Sequence, residues 1–324
     1  MSNMNRHQAF FFVLGLFAAS NQAYVLTTPK KCVTSLQATV GKGESIYSLP
    51  ALYDLAFGYR DFEEEVDFLL NTHERLAGRP ALSVLELAAG PARHALTALS
   101  DTSIQTATAV DSSKEMADYA KEIALEMLDE QQLKSFQYCV DDMRSFRYKN
   151  GKDSVDTVWI LLGSLQHLTS NDDVISCLQA VREALSEDGT VVLELPHPRE
   201  TFSMVECTKN SWKVPLEDDS GNESGELKII WGDDGDTFDP IQQVRQFTVA
   251  MELMGVAQSE GIQNIRQVVP LRLFTAQEIG ALARCAGLEL VEMHGALEEG
   301  VQVDDEMLAF RLVCVLQHQK NPKF

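Results

Sequence analysis

Residues 82–94 read Leu-Ser-Val-Leu-Glu-Leu-Ala-Ala-Gly-Pro-Ala-Arg-His and carry the strongest fold signal in the chain. An apolar run containing Glu86 breaks at Ala88–Ala92 into small residues, and a helix-compatible stretch, Arg93–Leu99, follows. A buried strand that turns through small residues into a helix lets a ligand approach the backbone closely. The phosphate-binding turns of nucleotide-binding α/β folds are built this way. Because Gly90 is the one glycine of the turn, the pattern becomes specific only together with the sequence that follows it.

Downstream of this turn, apolar runs of strand length alternate with amphipathic stretches of helix length. The predicted strands are Ser83–Ala88, Thr106–Asp111, Ser135–Val140, Val155–Leu162 and Thr190–Leu195. The predicted helices are Arg93–Leu99, Ser113–Leu128 and Asp172–Leu185, the last closed by a turn over residues 186–189. Nearly continuous apolar strands indicate a parallel sheet that is covered on both faces. We therefore predict a doubly wound α/β fold.

The alternation ends after Pro196. Residues 197–225 are polar and rich in turn residues, and three β-like stretches follow, at Glu226–Trp231, Ile241–Met251 and Gly261–Leu271. This pattern predicts an antiparallel β insertion after the fifth strand, residues 197–271, which we interpret as a substrate cap. A helix over Thr275–Cys285, with Thr275 as its N-cap, and strands at Leu288–Met293 and Met307–Leu316 complete a predicted seven-stranded, mostly parallel sheet in a domain spanning residues 44–324.

The N-terminus has the composition of a targeting segment. Arg6 and His7 precede the apolar run Ala9–Ala19, which small residues follow, as in a secretory signal peptide. The next stretch, Tyr24–Gly43, is basic and lacks acidic residues, as in a transit peptide. Together they resemble the bipartite plastid presequence of algae with secondary plastids, so we predict that residues 1–43 direct the chain to a plastid. The alternative is a secretory signal followed by a linker.

Charge and cysteine usage exclude several classes of protein. The formal net charge of −21 would repel a duplex or a bare tRNA, which argues against nucleic-acid partners. The six cysteines are scattered and no Cys-x-x-Cys occurs, so zinc spacing is absent from the sequence. We interpret the cysteines as buried thiols in a reducing compartment. No set of His, Asp and Glu ligands stands out, and we expect an activity that needs no metal.

Four polar features come where predicted strands end, and in a doubly wound sheet these ends meet at one edge. They are Glu86 with the turn that follows it, Asp111, the run Asp141-Asp142-Met143-Arg144 and the run Leu162–His167. A carboxylate at Asp111 can accept both hydroxyls of a ribose. An acid after strand three can accept an adenine amino proton while Met143 covers the ring. A ligand's tail and reacting end would then lie at the end of strand four.

At these residues the chain resembles the class I S-adenosylmethionine-dependent methyltransferases, in their small-molecule branch. The resemblance runs in order over about residues 47–317 and includes the segments 84–90, 109–116, 142–144, 155–168, 185–190, 272–279 and 286–288, preceded by Tyr53-Asp54-Leu55 and Tyr59-Arg60. Several motifs in the right order are more specific than any single one. The resemblance implies that Ala88–Ala92 faces the methionyl part of the donor, that Asp111 binds the ribose and Asp142 the adenine amino group, and that Gly163 and Ser164 line the donor channel.

One departure concerns the turn after the first strand, where the family usually has glycine at the positions of Ala88 and Ala92. Each alanine adds a methyl group and restricts positive φ. A dehydrogenase is the structural rival, since it also needs small residues after strand one and an acid after strand two. The missing Gly-x-Gly-x-x-Gly and the Asp142-Met143 pair favour the methyltransferase.

Individual residues complete the predicted site. Further donor contacts are predicted for Tyr59, Arg60, Arg93, Ser112 and Met116, with a surface role as the alternative for Arg93. His167 and His197 are candidate general bases, and the alternatives are a packed helix-start histidine and a turn residue. Substrate contacts are predicted for Tyr53, Trp231 and Arg272, against core packing of the aromatics and an ion pair of the arginine.

The combined prediction is an enzyme that transfers the methyl group of S-adenosylmethionine to an N, O or S atom of a small molecule. Two alternatives remain open at this stage. One is a non-catalytic protein of the same fold that binds S-adenosylmethionine, and the other is a protein methyltransferase, which would need an open groove for a peptide.

Overall fold

A computed structural model describes residues 45–148, 154–201, 210–217, 223–255 and 264–320. The predicted presequence, residues 1–43, lies outside these ranges. None of the helices within them is both long and apolar enough to cross a membrane.

A seven-stranded sheet forms the centre of the fold. Its strands are β1 (Ser83–Leu87), β2 (Thr106–Asp111), β3 (Phe136–Val140), β4 (Val155–Ile160), β5 (Leu185–Pro196), β11 (Leu288–His294) and β12 (Arg311–His318). They lie in the order β11-β12-β5-β4-β1-β2-β3. The five strands from β1 to β5 pair in parallel, whereas β12 runs antiparallel to both β5 and β11. The predicted doubly wound, mostly parallel α/β sheet is confirmed.

Helices cover the sheet. They are α1 (Pro50–Phe57), α2 (Phe62–Ala77), α3 (Arg93–Asp101), α4 (Lys114–Met127), α5 (Glu130–Ser135), α6 (Asn171–Ala184), α7 (Pro198–Thr201) and α8 (Ala276–Cys285). The side chain of Ser113 accepts a hydrogen bond from the backbone of Met116, and that of Thr275 accepts one from Glu278. The predicted start of α8 is therefore confirmed, and a serine caps α4 as hydroxyl side chains commonly do. Helix α5 was not predicted, although Asp129 and Gln132 form a capping box at its start.

Both faces of the sheet are buried, which explains the continuous apolar strands. Along β1, Val84 belongs to one apolar cluster and Leu85 to the other, because successive strand residues point to opposite faces. The same division separates Trp159 from Val158 on β4. One cluster packs under α1 to α4 and the other under α6 and α8, so each layer of helices has its own core.

A second, antiparallel sheet lies between β5 and α8 in the sequence. Its strands are β6 (Asn210–Glu217), β7 (Glu223–Trp231), β8 (Phe238–Asp239), β9 (Val244–Gly255) and β10 (Ile265–Arg272), in the order β10-β9-β7-β6 with β8 paired to β9. The predicted antiparallel insertion is thus present. Strand β6 was missed because half of its residues are polar and it contains a proline, yet Trp212, Val214 and Leu216 alternate with exposed residues. Such alternation is the period of a half-buried strand.

The start of β5 differs from the sequence prediction. Residues 186–189 were expected to form a turn after α6, whereas the strand already begins at Leu185. The pairing of β5 with β4 shifts register between Val155 and Thr157, and this irregularity accommodates the extra residues. A Cβ at Gly189 would lie 2.9 Å from the Asp156 carbonyl oxygen, so the close approach of the two strands requires glycine there.

Candidate active site

The turn between β1 and α3 has alternate residues in the left-handed region. Ala88 has φ 50°, Gly90 φ 51° and Ala92 φ 57°. Each left-handed alanine costs roughly 1–2 kcal/mol. Two hydrogen bonds hold the turn, from Ala92 N to the Ala89 carbonyl at 2.8 Å and from Ala89 N to the Val110 carbonyl at 3.1 Å. The alanines thus stand where the backbone favours glycine.

Asp111, at the end of β2, ties this turn to the next one. Its Oδ2 accepts a hydrogen bond from Gly90 N at 3.0 Å, and its Oδ1 accepts one from Ser113 N at 2.8 Å. Burial raises the pKa of Asp111, and the backbone hydrogen bonds oppose the rise. A carboxylate has about four acceptor positions, so each oxygen keeps capacity for a further donor. Ser112 lies exposed between Asp111 and Ser113.

Aromatic residues and a methionine surround the turn. A Cβ at Gly90 would contact Met116 Sδ and Tyr53 Cε1, each 3.9 Å away, so the missing side chain keeps space between them. The ring of Tyr47 lies 5.8 Å from that of Tyr53, and the Tyr47 carbonyl accepts a hydrogen bond from Ser113 Oγ at 3.3 Å. Sequence reasoning included Tyr53 and Met116 but missed Tyr47, for which the sequence holds no local motif.

The acid after β3 has a charged neighbour that the sequence prediction did not use. Arg144 Nε donates to Asp142 Oδ1 at 2.9 Å, and Arg144 Nη1 donates to Asp173 Oδ1 at 2.8 Å. The guanidinium lowers the pKa of Asp142. Met143 is partly buried against the core under α6. Asp142 therefore lies at the predicted edge, but it has less free acceptor capacity than Asp111.

The loop after β4 contains two further left-handed residues, Leu162 at φ 55° and Gly163 at φ 72°. A Cβ at Gly163 would lie 2.8 Å from Gln166 Oε1, so a side chain there would displace the Gln166 amide, and the backbone angle itself favours glycine. The Ser164 hydroxyl donates to the Leu161 carbonyl at 2.8 Å. The loop is therefore a preformed turn at the sheet edge that also carries Asp111.

His167 follows this loop and pairs with Tyr47. Its Nε2 lies 3.1 Å from the Tyr47 hydroxyl, and the two rings meet edge to face at 5.6 Å. Desolvation lowers the pKa of His167, so its imidazole is neutral near pH 7. Burial and the charge of Asp111 raise the pKa of Tyr47, which keeps its proton. Tyr47 and His167 are therefore hydrogen-bonded, and Tyr47 is the donor in the tautomer that leaves Nε2 of His167 unprotonated.

His197 is a correction to the sequence prediction. Its Nε2 lies 2.8 Å from the Val303 carbonyl, and its Nδ1 accepts a hydrogen bond from Arg199 N at 3.1 Å. Both ring nitrogens are thus engaged with the backbone, and neither offers a lone pair for a substrate proton. His197 joins the end of β5 to the loop before β12.

Two of the predicted ligand-binding arginines are also corrected. Arg93 pairs with Asp54 on α1, and Arg272 pairs with Glu278 on α8. The Arg272 guanidinium also stacks over the Phe274 ring at 4.9 Å. Both cations are neutralised inside the fold, so neither is available to a donor or an acidic substrate as predicted.

Arg60 has buried partners as well, whereas Tyr59 is exposed. The Arg60 guanidinium binds Glu65 at 2.8 Å and Glu194 at 3.1 Å. Tyr59 is 63% exposed, and its ring lies 6.4 Å from that of Trp212. The predicted donor contact of Arg60 is not supported, because its charge is already balanced by Glu65 and Glu194.

The predicted substrate residue Trp231 belongs to a series of ring contacts. Phe57 lies 4.6 Å from Tyr53, 5.8 Å from Trp212 and 5.6 Å from Trp231, and Trp231 lies 5.2 Å from Phe247. Trp212 Nε1 also donates to the Ala56 carbonyl at 3.0 Å. The rings join α1 to the second sheet, and Tyr53 connects this aromatic series to the turn at Gly90.

Over the described residues, no three His, Cys, Asp or Glu side chains are grouped as a metal site. Cys177 and Cys314 are buried and Cys139 is partly so, but Cys285 is exposed, which corrects the expectation of buried thiols at that position.

Comparison with known proteins agrees with this fold. A family model described as a methyltransferase domain matches residues 84–189. The CcbJ methyltransferase from Streptomyces caelestis has 23% identity and a TM-score of 0.60, over 82% of this chain and 98% of that one. The sugar N-methyltransferase KedS8 from Streptoalloteichus has 18% identity and a TM-score of 0.63, over 87% and 97%.

A third solved structure resembles this chain over a comparable share of both chains. CalS10 from Micromonospora echinaspora, an amino pentose methyltransferase solved with bound S-adenosylmethionine, has 17% identity and a TM-score of 0.60, over 82% of this chain and 96% of that one. No significant sequence match was found among curated proteins. The methyltransferase-domain match over residues 84–189 and the seven-stranded sheet together show that the chain has a Rossmann-like methyltransferase fold.

Proposed function

We propose that the protein transfers the methyl group of S-adenosylmethionine to an N, O or S atom of a small molecule. The observation that carries the proposal is Asp111, a half-buried carboxylate with free acceptor positions beside a left-handed turn and at the same sheet edge as His167. The methyltransferase-domain match supports it, and so does the bound S-adenosylmethionine in CalS10.

The residues at this edge fit such a donor. Asp111 would accept the ribose hydroxyls, and the turn at Ala88–Ala92 would face the methionyl part. Asp142 and Met143 would bind the adenine, and Gly163 and Ser164 would line the channel. The donor, when bound, supplies an activated methyl group on sulfur together with its own leaving group.

The chain's own residues therefore have mainly to orient the acceptor and exclude water. The neutral imidazole of His167 can take the proton that a protonated acceptor must lose. That proton would pass through the Tyr47 hydroxyl to Nε2 of His167, since these two atoms are 3.1 Å apart. The second sheet would cover the acceptor.

Nitrogen is the leading acceptor atom. Two of the structural relatives are named as an amino pentose methyltransferase and a sugar N-methyltransferase. An amine is also the acceptor whose protonation at neutral pH requires a base such as His167. An assay of amino sugars against matched sugars without the amine, with radiolabelled donor, tests this choice.

Calorimetric titration with S-adenosylhomocysteine tests the donor site. We expect binding by the wild-type protein and at least about tenfold weaker binding by Asp111→Ala, the loss of a hydrogen bond to a charged group. Asp118→Ala is the matched control, because Asp118 is an exposed acid on α4 that pairs with Lys114. No binding by the wild type, or equal binding by Asp111→Ala, would contradict the proposal.

Plastid targeting by residues 1–43 is a separate proposal that rests on their composition alone. A fluorescent protein fused to these residues should accumulate in the plastid of an alga with secondary plastids. Accumulation in the medium would instead support the secretory alternative.

A further inference from the structure

A chain of buried charges runs beneath the two turns of the candidate site. His94 is 1% exposed, and its Nε2 lies 2.7 Å from Glu65 Oε2 while its Nδ1 lies 3.6 Å from Glu86 Oε1. Glu65 also accepts a hydrogen bond from Arg60, whose guanidinium continues to Glu194 at 3.1 Å. The series thus reaches from β1 to β5 through α3, α2 and the turn before α2.

Each end of the series holds the backbone next to a left-handed turn. Glu86 Oε2 accepts a hydrogen bond from Ala95 N at 2.9 Å, in the first turn of α3 directly after Ala92. Glu194 Oε2 accepts one from Leu162 N at 2.9 Å, within the loop after β4. The buried charges are therefore connected to both turns that the proposed donor would touch.

The charges of this series balance only when His94 carries a proton. Glu65, Glu86 and Glu194 contribute three negative charges, and two guanidinium groups, those of Arg60 and Arg311, contribute two positive ones. A neutral His94 would leave one buried carboxylate without a cation, and an unpaired buried charge is strongly destabilising.

The surroundings of the ring agree with a protonated state. His94 faces Glu65 and the Phe62 ring on α2, the latter at 5.0 Å, and it faces Glu86 on β1. Burial by itself lowers the pKa of His94, but the hydrogen bonds and charges of Glu65 and Glu86 outweigh it and raise the pKa to about 9. The cation therefore persists well above neutral pH.

We propose that His94, as an imidazolium held between Glu65 and Glu86, is a positioning residue that keeps the turn Ala88–Ala92 in the conformation that binds the donor. The proposal rests on the proposed function, since it assumes that this turn faces S-adenosylmethionine. When His94 loses its proton, the neutral ring keeps one N–H, so either Glu86 or Glu65 faces a nitrogen lone pair and Glu86 loses its cation. Glu86 is then held less firmly in the position from which it accepts the hydrogen bond of Ala95 N. The left-handed alanines then have less support against relaxing to ordinary backbone angles.

The pH dependence of donor binding tests this role. The probe is 5′-S-(3-carboxypropyl)-5′-thioadenosine, the deamino analogue of S-adenosylhomocysteine, which keeps the tail that the turn would face but has no amine that titrates near pH 9. We expect its calorimetric affinity for the wild type to stay level from pH 7 to 8 and to fall several-fold by pH 10, by up to about tenfold, or roughly 1.4 kcal/mol. In His94→Gln the affinity should be lower at pH 7 and should not change over this range.

A second variant should shift the pH at which His94 titrates, whereas His94→Gln abolishes the pH dependence of binding. Glu65→Gln takes away one of the two carboxylates while Arg60 keeps Glu194, so the inflection should shift down by about one pH unit or more. The imidazole of His94, followed by NMR in the ligand-free protein, should titrate at the same pH as binding in the wild type and in Glu65→Gln. His318→Gln is the control, because His318 lies outside the series at the end of β12.

Several outcomes would overturn the proposal. These are a pH profile that is unchanged in His94→Gln, an inflection that does not move in Glu65→Gln, and an NMR titration of His94 near its ordinary pKa. If His94→Gln does not fold, Glu65→Gln and the NMR titration decide the matter. A wild type that binds neither the thioadenosine nor S-adenosylhomocysteine at pH 7 contradicts the proposed function, and this proposal with it. A wild type that binds with a profile independent of His94 contradicts this proposal alone.

Discussion

At the scale of single residues, the turn after β1 is under backbone strain that its surroundings must maintain. Ala88 and Ala92 adopt left-handed angles that glycine adopts without cost, and Ala92 is fully buried at the start of α3. Hydrogen bonds from Gly90 N to the Asp111 carboxylate and from the Tyr138 hydroxyl to the Gly90 carbonyl hold the middle of the turn. Strain kept in place by such contacts is common at ligand sites.

Replacement of Ala92 by glycine or valine measures this strain. Ala92→Gly should change the free energy of unfolding by less than about 1 kcal/mol, because relief of the left-handed cost offsets the lost buried methyl group and the added chain entropy. Ala92→Val should destabilise by about 2–4 kcal/mol, since a branched side chain is both strained and overpacked there. Urea denaturation of the two variants checks the pair. A valine variant as stable as the glycine one would mean that the turn is not constrained.

At the scale of elements, one buried ion pair joins the α1–α2 turn to the central sheet. Arg60 reaches Glu194 on β5, which also binds Arg311 on β12. Although burial opposes it, the two guanidinium groups lower the pKa of Glu194. A depressed pKa contributes stability that is present above the unfolded value, near pH 4.3, and is lost as the pH falls through the folded value.

Arg60→Met should lower the free energy of unfolding by about 3–5 kcal/mol at pH 7. The substitution leaves Glu194 with Arg311 as its partner and removes the ion pair between Arg60 and Glu65. Its acid unfolding midpoint should also lie at higher pH than that of the wild type. Arg75→Met is the matched control, since Arg75 pairs with Glu292 at the surface and is 48% exposed in its side chain. The free energy of unfolding of that variant should fall by no more than about 1 kcal/mol. If denaturation shows equal losses in the free energy of unfolding for the two variants, the buried ion pair is no more important for stability than the surface one.

The aromatic contacts make a second element-scale prediction. Phe57→Ala removes the ring that touches Tyr53, Trp212 and Trp231, so the second sheet should be held less firmly against α1. We expect the KM for the acceptor to rise several-fold more than the Kd for S-adenosylhomocysteine, because Asp111 and its turn remain in place. Val268→Ala, at a 58% exposed position on β10, should change neither. A larger loss of donor affinity than of acceptor affinity would contradict the assignment of the second sheet as a cap.

At the scale of the whole molecule, the part of the chain that the structure describes starts at residue 45 and continues into the short helical turn Ile46–Ser48. Ile46 is fully buried, and its amide donates to Gln267 on β10 at 3.3 Å. Because these contacts are made by residues that follow the predicted presequence, we expect the domain to fold without residues 1–43.

Removal of residues 1–43 should therefore leave the thermal midpoint within about 2 °C of that of the full chain, which corresponds to less than 1 kcal/mol. S-adenosylhomocysteine affinity should be unchanged as well. Differential scanning calorimetry and titration of both forms provide the check. A drop of 5 °C or more, on the order of 1–2 kcal/mol, would show that the presequence forms part of the fold.

Much of the architecture was predictable, and the failures have identifiable causes. Strand β2 was predicted at its observed bounds, Thr106–Asp111, because an apolar run ends there at a charged residue. Strand β6 was missed because an edge strand needs only one apolar face. Within the candidate site, Gly90 and Asp111 followed from strand ends and turn chemistry, whereas Tyr47 lies in a short turn whose position depends on contacts with Ser113 and His167.

The alternation of strands and helices, their caps and the acidic residues at strand ends are local patterns, and residue order determines them because period, capping and turn chemistry act over a few residues. The state of the charged groups is a tertiary property. Arg60 and Glu194 are 134 positions apart, and no local sequence pattern predicts that they pair. His94 becomes a cation and Arg93 an internal ion pair only because packing buries them beside particular carboxylates. Burial strengthens such interactions and eliminates competition from water, and burial exists only once the chain has folded.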